Sequence, residues 1–233
     1  MRRVRNHDSP AAIQRFLTET GLAPSRRFGQ NFLVNPEVRR RIVELLDVEA
    51  QHTVWEIGPG LGAMSEHLAE RCGRLSLFEI DRRFAEYLRG VFAELRHVEI
   101  VEGDFLKTGR TAIGKTGIPD RIIGNLPYNA ASQIIAFLIE HGTEAGIGGE
   151  EGSGEAEGEK GALPGRKTDR SRMVFTVQKE VGQRMMAAPG TKEYSSFSVL
   201  CGLHAGISDG GDVAAGSFYP APKVVSKVVL VEP

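Results

Sequence analysis

Apolar positions along the chain keep two periods that take turns. Short runs with strand character occupy Thr53 to Ile57, Arg74 to Ile80, His97 to Val101, Arg121 to Gly124, Met173 to Val177 and Lys223 to Val231. Between them lie stripes at helical spacing, such as Ile13, Phe16 and Leu17, then Val38, Ile42, Leu45 and Leu46, and further on Phe84, Leu88, Val91, Phe92 and Leu95. Start and stop signals bound the helices: Ser9-Pro10 and Gly21 frame the first, and Asn35-Pro36 opens the second. Further helices are predicted over Ala63 to Arg71, Arg82 to Leu95, Ala130 to Glu140, Lys179 to Ala188 and Tyr194 to Cys201. Strands alternating with helices predict an α/β fold with a parallel, right-handedly wound sheet. Three stretches read less clearly. Arg26 to Leu33 has no clean period and is read as a loop, Arg39-Arg40-Arg41 as a solvated helix face, and the glycine-dotted stretch between Asp104 and Asp120 as a connection with a short helix.

The predicted strands end on polar or glycine residues. The first runs into Gly58-Pro59-Gly60-Leu61-Gly62, where glycines allow a tight bend and close approach of a ligand to the backbone. The spacing Gly58-x-Gly60-x-Gly62 is one residue shorter than a dinucleotide fingerprint, which disfavours a pyrophosphate cradle. Glu79 ends the second strand, about 20 residues on, where an acidic side chain can accept hydrogen bonds from ribose hydroxyls. Asp81 is placed to cap the next helix. The third strand runs into Gly103-Asp104 and the fourth into Asn125-Leu126-Pro127-Tyr128. In an open α/β sheet the ligand crevice lies at these carboxyl ends. Glu56, inside an apolar strand, needs a partner for its carboxylate and is expected to bond to the loops of the site.

Gly58-Pro59-Gly60-Leu61-Gly62, Glu79, Asp104 and Asn125-Leu126-Pro127-Tyr128 resemble an S-adenosylmethionine-dependent adenine-N6 methyltransferase. Arg27-Phe28-Gly29-Gln30-Asn31-Phe32-Leu33, Gln178-Lys179-Glu180-Val181 and Phe218-Tyr219-Pro220-Ala221-Pro222-Lys223-Val224 narrow this to the small-subunit ribosomal RNA adenine N6,N6-dimethyltransferase family, over roughly residues 24 to 232. The resemblance implies a seven-stranded, Rossmann-like methyltransferase sheet whose last strand is antiparallel. It implies that Asn31, Leu33, Glu56, Gly58, Gly60, Glu79, Asp104 and Asn125 serve S-adenosylmethionine, with Gly58 and Gly60 at the methionine part, Glu79 at the ribose and Asp104 at the adenine amino group. Arg26 and Arg27 would lie near RNA. Asn125, Leu126, Pro127, Tyr128 and Phe218 would form the reacting site. The chemistry suits them: the adenine N6 lone pair is delocalised, and the Asn125 amide oxygen and Leu126 carbonyl can draw its hydrogens out of plane. Pro127 keeps Leu126 out of the α region and so aims that carbonyl, while Tyr128 and Phe218 would sandwich an extruded base. The family has a strand where this chain has Gly206 to Val213, and Ser208-Asp209-Gly210-Gly211-Asp212 makes a short or irregular edge the expectation.

On this reading residues 1–34 form an N-terminal helix and a basic, cofactor-covering loop, and residues 35–232 the catalytic domain. About residues 143–170, rich in Gly and Glu, the expectation is a disordered acidic insertion. Family members carry a small helical domain after the last strand, and here nothing follows Pro233. Its absence implies intact cofactor binding and weakened RNA affinity.

Composition changes the picture at few points. No apolar run approaches the roughly 18 to 20 residues of a membrane span, and no apolar signal core follows Arg2, Arg3 and Arg5. Cys72 and Cys201 read as reduced thiols of a cytoplasmic protein, and His52, His67, His97 and His204 lack metal spacing. The net charge of −1 hides an uneven distribution. Residues 1–43 hold nine Lys/Arg against three Asp/Glu, and residues 140–160 hold seven acids against Lys160; without that segment the remainder stands at +5. A basic face for ribosomal RNA in a precursor small-subunit (30S) particle is thereby allowed. A monomer is the default. Two rivals stay open: a large-subunit RNA methyltransferase of the macrolide-resistance type, and a non-enzymatic assembly or transcription factor on the same fold.

Overall fold

A computed structural model describes residues 4, 6–25, 28–144 and 171–233. Arg26 and Arg27, and all but the first residues of the acidic insertion, lie outside the described residues. Helix α1 (Pro10–Thr20) starts where Ser9 Oγ accepts from Ala12 N at 3.2 Å, stops at Gly21, and buries Ile13, Phe16 and Leu17. The stripe is the one the spacing predicts. After the two-residue β1 (Phe32–Leu33), Asn35 caps α2 (Pro36–Leu46) by accepting from the Glu37 and Val38 N–H groups. The chain then alternates through β2 (Thr53–Ile57), α3 (Ser65–Ala69), β3 (Arg74–Glu79), α4 (Arg82–Val91), β4 (Val98–Glu102), α5 (Phe105–Thr116), β5 (Arg121–Asn125) and α6 (Ala131–Glu144). Beyond the insertion come β6 (Arg172–Gln178), α7 (Lys179–Met185), α8 (Ser196–His204), β7 (Gly206–Val213), β8 (Phe218–Tyr219) and β9 (Ser226–Glu232).

Seven strands form one sheet in the order β4-β3-β2-β5-β6-β9-β7, parallel from β4 to β6, with β9 antiparallel to both its neighbours. Successive residues of the central strands serve opposite faces. Val54, Ile123, Val174 and Val228 pack with α1, α2, α3 and α4, whereas Trp55, Ile122, Phe175 and Val229 pack with α5, α6, α7 and α8. Burial on both faces is what makes these strands continuous apolar runs rather than alternating ones. Among the described residues no helix is long and apolar enough to cross a membrane.

Two expectations need correcting, and a third, the short or irregular edge, is met in its irregularity. Helix α5 is 12 residues long, not short, because Asp104 caps it and Phe105 anchors it among Phe78, Trp55 and Phe137; only Phe105 and Gly109 are buried, so no stripe advertises it. Strand β7 is irregular, with a register shift between Asp209 and Asp212, but it is eight residues long. Backbone pairing to β9 holds it, together with the buried Lys227 ammonium, 2.7 Å from Asp209 and 2.8 Å from Asp212. Finally, Arg39 does not share the solvated face of Arg40: it is buried, pairs with Asp8, and donates from Nη1 to the Leu33 carbonyl at 2.8 Å.

At the end of β5 the backbone passes so close to β2 that only glycine fits at 124. A Cβ there would lie 2.7 Å from Leu126 Cδ2 and 2.9 Å from the Ile57 carbonyl. Gly124→Ala should therefore destabilise the fold by about 1–3 kcal/mol. Urea unfolding measures it, and an unchanged midpoint would refute the close approach.

Candidate active site

The carboxyl ends of β2, β3 and β5 open on a cleft with about 720 Å³ of empty space, part of it continuous with solvent. Its floor is the glycine turn after β2. Gly58 N donates to the Phe78 carbonyl at 2.9 Å, latching the turn to β3. At Gly60 (φ 55°) a Cβ would meet the Phe32 ring at 3.0 Å, so both the backbone angle and the neighbour require glycine. The Gly60 N–H is turned to Glu79, donating to Oε2 at 3.0 Å, while Asp81 N donates to Oε1 at 2.9 Å. Asp81 itself caps α4 by accepting from Arg83 N at 3.0 Å.

Two carboxylates are kept from water here. Burial pushes Glu79 up to about 7 against the pull of its backbone donors, and pushes Glu56 up to about 7 with a smaller contribution from the Glu79 charge. Glu56 is wholly buried; Ser65 Oγ donates to its Oε2 at 2.6 Å, and its Oε1 has no partner. The sequence expectation that Glu56 bonds to the loops of the site needs correcting: its one side-chain donor stands at the start of α3. The other oxygen is an unanswered acceptor in the cleft wall.

The opposite wall is the segment Phe28 to Leu33, read as a loop from the sequence. It is tied down. Phe32 and Leu33 pair antiparallel with Tyr219 and Phe218, and Val34 N and Asn35 N both donate to the Ser217 carbonyl, at 2.8 and 3.3 Å. Asn125 crosses the gap, its Nδ2 donating to the Asn31 carbonyl at 2.7 Å. Turning that amide over would set two oxygens against each other, so its orientation is chemically fixed and Oδ1 stays available as an acceptor. Leu126 is buried with its N–H on the Thr176 carbonyl at 3.1 Å. Tyr128, half-buried, is held by a 2.7 Å hydrogen bond between its hydroxyl and Ser226 Oγ, and burial raises its phenol above the ordinary value of 10.

Asn31, Leu33, Glu56, Gly58, Gly60, Glu79, Asn125 and Pro127 therefore share one cleft. Leu126 and Tyr128 follow directly on Asn125 without joining the wall. Asp104 also lies outside it, exposed, capping α5 with Oδ1, which accepts from Leu106 N at 3.0 Å. Phe218 needs correction: it is 3% exposed and packs in the core beside β1, so in this conformation it offers no open face to a base. Reasoning from the sequence also missed His7, Phe28, Met64 and Ile80, which line the cleft. Ile80 follows Glu79 and could have been found from that; His7 carried no signal. Among the described residues no group of three or more His, Cys, Asp or Glu could hold a metal ion. Cys72 and Cys201 are free and buried, and burial lifts each thiol to about 11.

Comparison with known proteins agrees with this geometry. Residues 23–233 match the family described as "Ribosomal RNA adenine dimethylase". The chain is 37% identical over 228 residues to a "Ribosomal RNA small subunit methyltransferase A" of Borreliella burgdorferi, covering 98% of this chain and 71% of that one. It is 38% identical to a protein of the same name from Treponema pallidum, covering 97% and 70%. Among solved structures, a dimethyladenosine transferase from Plasmodium falciparum aligns with a TM-score of 0.65 at 24% identity, over 85% of this chain and 62% of that one. The 23S rRNA methyltransferase ErmE aligns with a TM-score of 0.63 at 22% identity, over 87% and 69%. At such identities the likeness shows the fold alone, that of a methyltransferase.

The two buried carboxyls make stability depend on pH. Both are held above their ordinary 4.5, so the folded state favours their protonated forms. That stabilisation is complete below about pH 4.5 and is lost as pH rises through about 7. Urea unfolding of the free protein should show stability falling across this window, with a shallower fall in Glu56→Gln. An identical pH profile in the variant would contradict the assignment.

Proposed function

The chain belongs to the ribosomal RNA adenine dimethylase family, and on that premise we propose that it dimethylates N6 of two adjacent adenines in small-subunit ribosomal RNA with S-adenosylmethionine as donor. The observation that carries this reading is Asn125: with Nδ2 committed to the Asn31 carbonyl, its Oδ1 faces chemistry as an acceptor, at the end of a cleft that also holds Glu79. S-adenosylmethionine supplies an activated methyl group on a sulfonium.

The residues present fit that donor. The unpartnered Oε1 of Glu56 would take its ammonium, Gly58 and Gly60 let its tail approach the backbone, and Glu79 would accept from its ribose hydroxyls. Asn31 and Leu33 would cover it. Ile80, 43% exposed at the cleft edge, offers an apolar surface to the donor's adenine. Asp104 spends Oδ1 on its cap, and Oδ2 would take the adenine amino group.

Toward the target base, Asn125 Oδ1 and the Leu126 carbonyl accept the N6 hydrogens, drawing the nitrogen toward pyramidal geometry so that its lone pair can attack. Pro127 restrains Leu126 and keeps that carbonyl aimed. Tyr128, tethered to Ser226, supplies a stacking face for an extruded base. As the N–C bond forms the methyl–sulfur bond breaks, the sulfonium leaves as a neutral thioether, and the positive charge passed to N6 is relieved by loss of a proton to water, so no strong base is needed. Positioning in line with the methyl group accounts for much of the acceleration. Arg26 and Arg27, outside the described residues, are proposed RNA contacts. The partner would be the 30S precursor particle, met by a cytoplasmic monomer. The curated relatives carry small-subunit names, which favours this substrate over the large subunit.

Methyl transfer to small subunits lacking the modification tests the reading. Asn125→Ala should lower kcat by about 100-fold or more, while Tyr128→Phe, which keeps the ring, should lose little. Equal activity of wild type and Asn125→Ala would remove the role of Asn125. Methylation of large subunits alone would assign the chain to the rival substrate.

A further inference from the structure

The cleft has one wall that the proposed function leaves unexplained. Ahead of α1 the chain is pinned at two points. Val4 is buried, with its N–H 3.3 Å from the Tyr87 hydroxyl. Asp8 pairs with the buried Arg39, whose Nη1 also holds the Leu33 carbonyl. Between these anchors the His7 side chain, 10% exposed, is set into the cleft wall with Met64 and Asn31. Both its ring nitrogens are buried and neither has a hydrogen-bond partner. The Glu66 carboxylate stands 3.7 Å from Nε2, beyond hydrogen-bond reach.

A buried imidazole with both nitrogens unmet is costly unless something else meets them. The geography of the cleft says what. On the reading that the donor is S-adenosylmethionine, its ribose lies at Glu79 and its adenine beyond, toward Ile80. The reacting methyl group must face Asn125. The amino-acid tail is then left with the wall where His7 and Glu56 stand. That tail is a zwitterion, and the wall offers one unmet buried acceptor, Glu56 Oε1, and one unmet buried ring that carries an N–H. We propose that His7 donates this N–H to the carboxylate of the donor's amino-acid tail, opposite the Glu56 contact to its ammonium. His7 is then a binding residue that selects donors with an intact amino acid, and the pair of Asp8 with Arg39 is the clamp that presents it. This inference rests on the donor assignment made above.

Two ligands separate the inference from that assignment: S-adenosylhomocysteine, which keeps the amino-acid tail, and 5′-methylthioadenosine, which lacks it. Calorimetric titration of the full chain should show His7→Ala binding S-adenosylhomocysteine about tenfold more weakly than wild type. Its affinity for 5′-methylthioadenosine should change less than about twofold, within the uncertainty of such contacts. His7→Gln, which keeps a donor on a similar stem, should recover part of the loss. Loss of the buried ring should lower the melting temperature of His7→Ala somewhat, so the quantity compared is the ratio of the two affinities within each folded variant. Equal weakening for the two ligands would make His7 a structural part of the wall and overturn the proposal; unaltered binding of S-adenosylhomocysteine would do so as well. A wild-type chain that binds neither ligand would instead remove the donor assignment, and His7 with it.

Discussion

Keeping two carboxylates out of water at the ends of neighbouring parallel strands is the constraint that the rest of the molecule accommodates. Glu56 on β2 is fully buried and Glu79 on β3 is 2% exposed. Groups of this kind persist only where their oxygens find donors. Glu79 satisfies both of its own from backbone, and in doing so joins the glycine turn at Gly60 to the approach of α4 at Asp81. The turn can present that N–H only because position 60 has no Cβ to collide with Phe32. Glu56 is left half satisfied. In the free protein the arrangement favours uncharged carboxyls, and a ligand bringing hydroxyls and a cation would favour charged ones.

The segment across the cleft is equally constrained, though its links are of a different sort. A two-residue ladder to β8, a carbonyl held by Asn125, and a carbonyl held by Arg39 fix Asn31 to Leu33 from three directions. One consequence is chemical. One of the contacts that fix the wall also decides which end of the Asn125 amide is left free in the cleft, so the wall and the proposed reacting site share one hydrogen bond.

The parallel strands were legible because burial on both faces leaves an unbroken apolar run, and the early helices because Ser9, Asn35 and Gly21 mark their ends chemically. Glycines and polar residues at the strand ends pointed to the cleft for the same reason: such residues are out of place in a core. What could not be read was held by contacts that leave no pattern. Helix α5 rests on Phe105 and a close approach at Gly109, strand β7 on backbone pairing and the ion pairs of Lys227, and β1 is too short to have a period. Arg39 sits in a run of three arginines of which one is buried and one exposed, a difference set by Asp8 and Leu33 in three dimensions. Phe218 had a role by resemblance alone, and its burial followed from pairing with β1.

The pairing of β1 with β8 joins two pieces of chain that are far apart in order of synthesis. Phe32 and Leu33 leave the ribosome early, yet their partners Phe218 and Tyr219 emerge only after the strands β2 to β7 have been made. A nascent chain can therefore assemble most of its sheet while the covering wall of the pocket still lacks its neighbour. Retention of a small ligand between both walls therefore has to wait until β8 has been made, well after the glycine turn and the carboxylate of Glu79.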